Sequence, residues 1–185
     1  SYRLTVCGAA IMQLVQSFLE ESAIRAPHKT ALVCGDARLT YAEIEAMANR
    51  LAHALVANGV VRGDRVLLFL PNTVEMVVSI FATLKANAVF VPVNHSTKPD
   101  KLRFLAQDCR AAALITGQRQ GATAVSLQAA IPSLHTVVLV GDAPASCLSY
   151  SDIQENFAGE RPLCNTIDQD LACLIYTSGS TGEPK

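Results

Sequence analysis

The chain has 185 residues, half of them hydrophobic and 17% charged, with a formal net charge of −1. That is long enough for a domain with its own core, and the composition excludes a disordered tail. There is no basic excess and no clustered basic helix to meet a phosphodiester backbone, so nucleic acid is not an expected partner.

The elements alternate along the chain. Leu4 to Leu19 is uncharged and follows Arg3, but it has no A-x-A cleavage site and runs into helical spacing, so it does not read as a signal peptide. Met12 falls just before the first helix; residues 1–11 are expected to be leader or appended residues, with the domain over 12–185. Ile11, Leu14, Val15, Phe18, Leu19 and Ser22 follow helical spacing, and Pro27 closes that helix. Thr30 to Cys34 and Arg38 to Thr40 read as short strands around a Gly35-Asp36 turn. Thr40-Tyr41-Ala42-Glu43 spells a capping box. The helix it opens puts Tyr41, Ile44, Ala48, Leu51 and Leu55 on one face, and Gly59 suits its end.

Arg65 to Leu70 is an apolar strand stopped by Pro71-Asn72. A helix over 74–86, a strand over Val89 to Val93 and a helix from Pro99 to about Asp108 follow. Ala111 to Thr116, Thr136 to Val140 and Leu171 to Tyr176 read as further strands. Gly121 to Gly141 carries no ionisable side chain except His135, but Pro132 and its polar residues exclude a membrane span. Residues 141–170 read as a surface excursion with one short helix near Ser151 to Phe157. Apolar runs alternating with amphipathic helices predict an α/β fold: a mostly parallel sheet with helices on both faces. Ligands of such sheets bind beyond the carboxyl ends of strands.

Six cysteines (7, 34, 109, 147, 164 and 173) form no C-x-x-C pair, and four histidines are scattered. The pattern fits reduced, buried thiols in a cytoplasmic protein rather than a metal centre.

The last ten residues carry the most chemistry: Tyr176-Thr177-Ser178-Gly179-Ser180-Thr181-Gly182-Glu183-Pro184-Lys185. Glycines let a backbone approach a ligand, and hydroxyls, N–H groups and an ammonium are the donors a polyphosphate needs. A Walker A loop would need G-x-x-x-x-G-K-[ST]; here Gly179, Gly182 and Lys185 are spaced differently and Pro184 precedes the lysine. No G-x-G-x-x-G occurs, so a dinucleotide fold is also unsupported. Composition alone would equally suit a flexible linker.

The order of the residues is more informative. Tyr-Thr-Ser-Gly-Ser-Thr-Gly-x-Pro-Lys resembles the phosphate-loop signature of the adenylate-forming superfamily, which holds acyl-CoA synthetases, nonribosomal peptide adenylation domains and luciferases. Leu39-Thr40-Tyr41-Ala42-Glu43-Ile44 resembles the family's L-T-Y-x-E-L motif. Leu84-Lys85-Ala86-Asn87-Ala88-Val89-Phe90-Val91-Pro92 resembles its L-K-A-G-x-x-x-V-P motif, with Asn87 where glycine is usual. Asn tolerates a left-handed backbone better than most residues, so the departure is mild. Both early motifs have structural explanations, a helix cap and a helix-to-strand turn.

The resemblance implies the N-terminal part of an AMP-binding (adenylation) domain, ending at the phosphate loop. It implies ATP-dependent activation of a carboxylic acid to an acyl-adenylate, then thioester formation on coenzyme A or a phosphopantetheinyl carrier protein. It assigns ATP phosphates to Thr177, Ser178, Gly179, Ser180, Thr181, Gly182 and Lys185, with Lys185 also catalytic, and has Tyr176 anchor the strand end. It implies ATP and Mg²⁺, with the magnesium ligand, base and ribose contacts, acid pocket and a C-terminal-domain lysine beyond Lys185. The remainder of a ligase chain is therefore an expected partner, and residues 1–185 alone are expected not to turn over. The run Asn94-His95-Ser96-Thr97-Lys98-Pro99-Asp100-Lys101-Leu102 looks more like the acyl-CoA branch than the amino-acid branch, favouring an acyl or aryl acid. The alternative is a non-catalytic α/β scaffold or interaction module descended from such an enzyme.

Overall fold

The computed structural model describes residues 14–177. Helix α1 (Val15–Arg25) leads to strands β1 (Thr30–Cys34) and β2 (Ala37–Thr40), an antiparallel hairpin turning at Gly35. The capping box at Thr40 is complete. The Thr40 hydroxyl accepts from the Glu43 N–H, and the Glu43 carboxylate accepts from the Thr40 N–H at 2.7 Å. It opens α2 (Tyr41–Ala57), which buries Ile44, Ala48, Leu51 and Leu55 as their spacing predicts. Gly59 just beyond it has φ +91°, the left-handed geometry that ends helices.

The main sheet is built from β3 (Arg65–Phe69), β4 (Val89–Pro92), β5 (Ala111–Gly117), β6 (Thr136–Val140) and β7 (Leu148–Ser149), in the order β4-β3-β5-β6-β7. Every pair is parallel. The connecting helices are α3 (Val74–Lys85), α4 (Pro99–Asp108) and α5 (Gly121–Ala130), with α6 (Tyr150–Asn156) after β7. Successive strand residues point to opposite faces, so continuous apolar strands feed two cores. Val66, Leu68, Ala113, Ile115 and Val138 pack with α2, α3 and α6. Leu67, Phe69, Leu114, Val137 and Leu139 pack with α4 and α5.

The structure differs from the sequence reading, or adds to it, in four places. First, α1 does not bury its Val15-Phe18 stripe: those side chains are exposed, and Gln16, Leu19 and Glu20 face inward. The cause is Lys85, which is 1% exposed and needs a carboxylate. Its Nζ donates to Glu20 Oε1 at 2.8 Å and Glu45 Oε1 at 2.7 Å, and Arg161 pairs with the other Glu20 oxygen at 2.6 Å.

Second, residues 171–176 make no full strand. They run parallel beside β4 with one bridge, Phe90 to Cys173, held by Phe90 N–H to Ala172 O (3.2 Å) and Leu174 N–H to Phe90 O (3.1 Å). Leu174 and Tyr176 pack inward, while Leu171 and Ile175 are 69% and 61% exposed, because this sheet edge is covered on one face only. Third, the cysteines are not uniformly buried. Among those described, Cys109 is buried, whereas Cys34, Cys147, Cys164 and Cys173 are half-buried and free; Cys7 lies outside the described residues. Fourth, α5 and the two-residue β7 have no clear sequence signal: α5 opens on glycine, lacks charge and buries only Ala124 and Leu127.

Candidate functional site

The residues that the sequence marks for phosphate begin where the segment beside β4 ends. Thr177 is exposed at its tip. Ser178, Gly179, Ser180, Thr181, Gly182 and Lys185 lie outside the described residues. What can be built up from physical contacts is therefore the root of the loop. Because 171–176 runs parallel to β4, the chain leaves in the same sense as the sheet's other strands.

Tyr176 anchors that root. Its ring packs on the core beneath α4 and α5, and its hydroxyl donates to the carboxylate of Asp108, the last residue of α4. Burial, then the bond to Asp108, pushes the phenol well above its ordinary range, so it stays a proton donor. Asp108 rests on a fixed support. Arg65 donates from Nε to Cys109 O (2.5 Å) and from Nη2 to Arg110 O (2.8 Å), and Arg110 sits at φ +50°. Burial raises the Cys109 thiol to about 11, which removes it as a nucleophile near neutral pH.

The loops at the other strand ends are tightly tied. After β4, Asn94 Oδ1 accepts from Ser96 N–H (3.0 Å) and from its hydroxyl (2.8 Å). After β5 and β6, Gln118 Oε1 accepts from Asp142 N–H at 2.7 Å. Gly141, at φ +99°, lies so close that a Cβ there would meet Gln118 Oε1 at 2.1 Å. A separate cleft of about 250 Å³ lies at the amino end of β4, between Gln16, Gly63, Asn87, Val89, Thr166 and Leu171. Its position at the other end of the strands separates it from the loop root.

The two early motifs have the structural use expected of them. Thr40 and Glu43 cap α2. Asn87 takes φ +61°, and its side chain does what glycine could not. It accepts from Asn165 N–H (2.7 Å) and the Thr166 hydroxyl (3.0 Å), and it donates to Leu163 O (3.3 Å). Sequence reading missed Asp108 and the Lys85 cluster. No local signal announces either, since the partners lie 68 and 65 positions away. A lysine flanked by apolar residues on both sides was the available hint for Lys85.

No group of three or more His, Cys, Asp or Glu side chains among the described residues is placed to hold a metal. No described helix is long and apolar enough to cross a membrane.

Comparison with known proteins agrees with this architecture. The family model described as "AMP-binding enzyme" matches residues 19–185. Surfactin synthase subunit 2 of Bacillus subtilis is 35% identical over 171 residues, covering 92% of this chain and 4% of that protein. A medium/long-chain-fatty-acid–CoA/3-oxocholest-4-en-26-oate–CoA ligase of Mycobacterium marinum is 32% identical over 180 residues, covering 90% of this chain and 32% of the ligase. The crystal structure of the anthranilate CoA ligase AuaEII with anthranoyl-AMP superposes with a TM-score of 0.85 at 30% identity, covering 92% of this chain and 33% of that one. The chain thus spans about a third of the length of these acid–CoA ligases.

Proposed function

The chain belongs to the AMP-binding enzyme family, and from that premise we propose that it is part of a ligase that activates a carboxylic acid with ATP and passes it to a thiol. A carboxylate oxygen attacks the α-phosphorus; the bond from that phosphorus to the bridging oxygen breaks, and pyrophosphate leaves. The thiol sulfur of coenzyme A or a carrier phosphopantetheine then attacks the acyl carbon, and AMP leaves. The acid we propose is an acyl or aryl acid, on the run from Asn94 to Leu102.

The difficulty of the first step is charge: an anion approaches a polyanion, and the leaving group gains charge. Donors held in place before the reaction lower such a barrier. The proposed donors are the hydroxyls of Thr177, Ser178, Ser180 and Thr181, the N–H groups of Gly179 and Gly182, and the Lys185 ammonium. Magnesium would supply further positive charge on the phosphates. The described residues do not fit a magnesium site.

The observation that carries this reading is the ordered ten-residue run at 176–185, inside the family match and rooted beside β4. The test is ATP–pyrophosphate exchange by the natural polypeptide that carries these residues, with fatty, aryl and amino acids offered separately. Exchange that depends on a fatty or aryl acid is expected, and Lys185→Ala should lower it by about 10²-fold. A folded protein that exchanges with no acid would refute the reading; exchange with amino acids alone would refute the acid class. Residues 1–185 by themselves are expected to show none.

A further inference from the structure

We propose that Asp108 is a positioning residue for this reaction, which it serves by fixing, through Tyr176, where and in what direction the chain enters the run from Thr177 to Lys185. The proposal rests on the ligase reading above. Among the described residues, the backbone of 175–177 makes no hydrogen bond; the last backbone tie is Leu174 N–H to Phe90 O. Beyond it, the polar contact that holds the root among the described residues is the Tyr176 hydroxyl on the Asp108 carboxylate. Ring packing alone fixes depth but leaves rotation and sliding along an apolar surface, because the hydrophobic effect is non-directional. A bond from a phenol to a carboxylate supplies the missing direction.

The backbone that carries the acceptor is held on both sides. Asp108 closes α4, whose Leu102, Leu105 and Ala106 are buried, and the next two carbonyls are gripped by the Arg65 guanidinium. Arg65 starts β3, an interior strand paired on both sides, with β4 and β5. A chain of contacts therefore runs from an interior strand through Arg65 and the end of α4 to Tyr176. Small misplacements of groups that must meet a transition state cost far more in rate than in stability, so this tether should register in kinetics.

The experiment compares Tyr176→Phe, which removes only the hydroxyl, with Asp108→Ala and Asp108→Asn, whose amide oxygen can still accept. All are made in the natural polypeptide and assayed by ATP–pyrophosphate exchange. Tyr176→Phe and Asp108→Ala should raise the KM for ATP about fivefold, the size of one partly exposed charge-assisted hydrogen bond, with the KM for the acid unchanged. Asp108→Asn should recover most of the loss. Amide deuterium uptake of the peptide 171–177 should quicken in the first two variants, with uptake in β3 and β5 unchanged. Unaltered uptake at 171–177, an unaltered KM for ATP, or Asp108→Asn as impaired as Asp108→Ala would each overturn the proposal. A wild-type protein inactive with every acid would overturn the ligase reading and the positioning role with it; deuterium uptake would still show whether the tether exists.

Discussion

Replacing Lys85 with methionine keeps an unbranched side chain one atom shorter and deletes its charge from a site that is 1% exposed. Lys85 stands between Glu20, whose side chain is 6% exposed, and Glu45, 16% exposed; Arg161 supplies the second cation, so two charges of each sign balance. After Lys85→Met, Glu20 keeps Arg161. Glu45 keeps only an amide contact from Asn49 at 3.3 Å, and its Oε2 has no partner to begin with. Breaking a buried pair by removing one member costs about 3–5 kcal/mol. Arg161 and the partial exposure of Glu45 put the expectation at the lower end, about 3 kcal/mol, or roughly 6–12 °C in Tm for a chain of this size. Urea unfolding with an unchanged m-value is the assay. The double variant Lys85→Met with Glu45→Leu removes the stranded carboxylate and should recover more than half of the loss. A cost below about 1 kcal/mol for Lys85→Met, or a double variant no more stable than the single, would refute the reasoning.

Asn87→Gly relieves the left-handed backbone but forfeits three hydrogen bonds, so it should destabilise by about 1 kcal/mol, with Asn87→Ala worse by about another 1 kcal/mol; urea midpoints that show glycine stabilising would contradict this. Thr40→Ala removes the cap of α2 and should cost about 1 kcal/mol in thermal or urea unfolding. The Glu43 carboxyl, held below its ordinary value of 4.5 by the Thr40 N–H and hydroxyl, contributes stability that is present above that value and lost as pH falls through its folded value. Glu43→Gln should flatten that part of the acid limb, and an identical acid limb in both proteins would count against the cap. Cys109, with its thiol near 11, should be alkylated by iodoacetamide more slowly than Cys34, Cys147, Cys164 and Cys173, since only about 10⁻³ of it is thiolate at pH 8. Mass spectrometry of the native protein decides, and equal labelling of Cys109 and Cys34 would be the contrary result.

Where local chemistry determines structure, the chain could be read directly. The Thr40 capping box, Pro99 at the first turn of α4 and the apolar strands β3, β5 and β6 all lie where pattern and propensity place them. Misreadings arose where a distant partner overrides the local pattern. The helical spacing of Val15, Phe18 and Leu19 gave no sign of which side of α1 turns in; a buried ammonium draws Glu20 inward, with Leu19, and leaves Val15 and Phe18 outside. The run from Leu171 to Tyr176 has the composition of a central strand, and its place outside β4 explains why Leu171 and Ile175 stay exposed. At the candidate site, the glycines, hydroxyls and lysine were legible as a motif. The support from Asp108 was not, because a contact between a helix end and a tyrosine 68 residues later leaves no periodicity.

The irregular stretch before the loop shows why polar ties carry so much of the site. Residues 157–170 have few apolar side chains that could lock them onto the core, and Leu163 is 90% exposed. Their path is set instead by side chains reaching out from the regular elements. Asn49 Nδ2 donates to Gly159 O at 2.8 Å, and a His53 ring nitrogen lies 2.9 Å from Glu160 O. Arg161 reaches Glu20, and Asn87 holds 163–166. Arg62 grips Asp170 through two nitrogens at 3.0 and 2.9 Å. Those of His53, Asn87 and Arg62 are exposed and weak alone, while Asn49 and Glu20 are buried at their own ends. Taken in sequence, they deliver Leu171 to the edge of β4 in one register, and the Tyr176–Asp108 bond completes the series. A strand held by a single bridge has little register information of its own, so the direction in which Thr177 leaves the sheet is set upstream of the motif, by α2, the end of α3 and the end of α4.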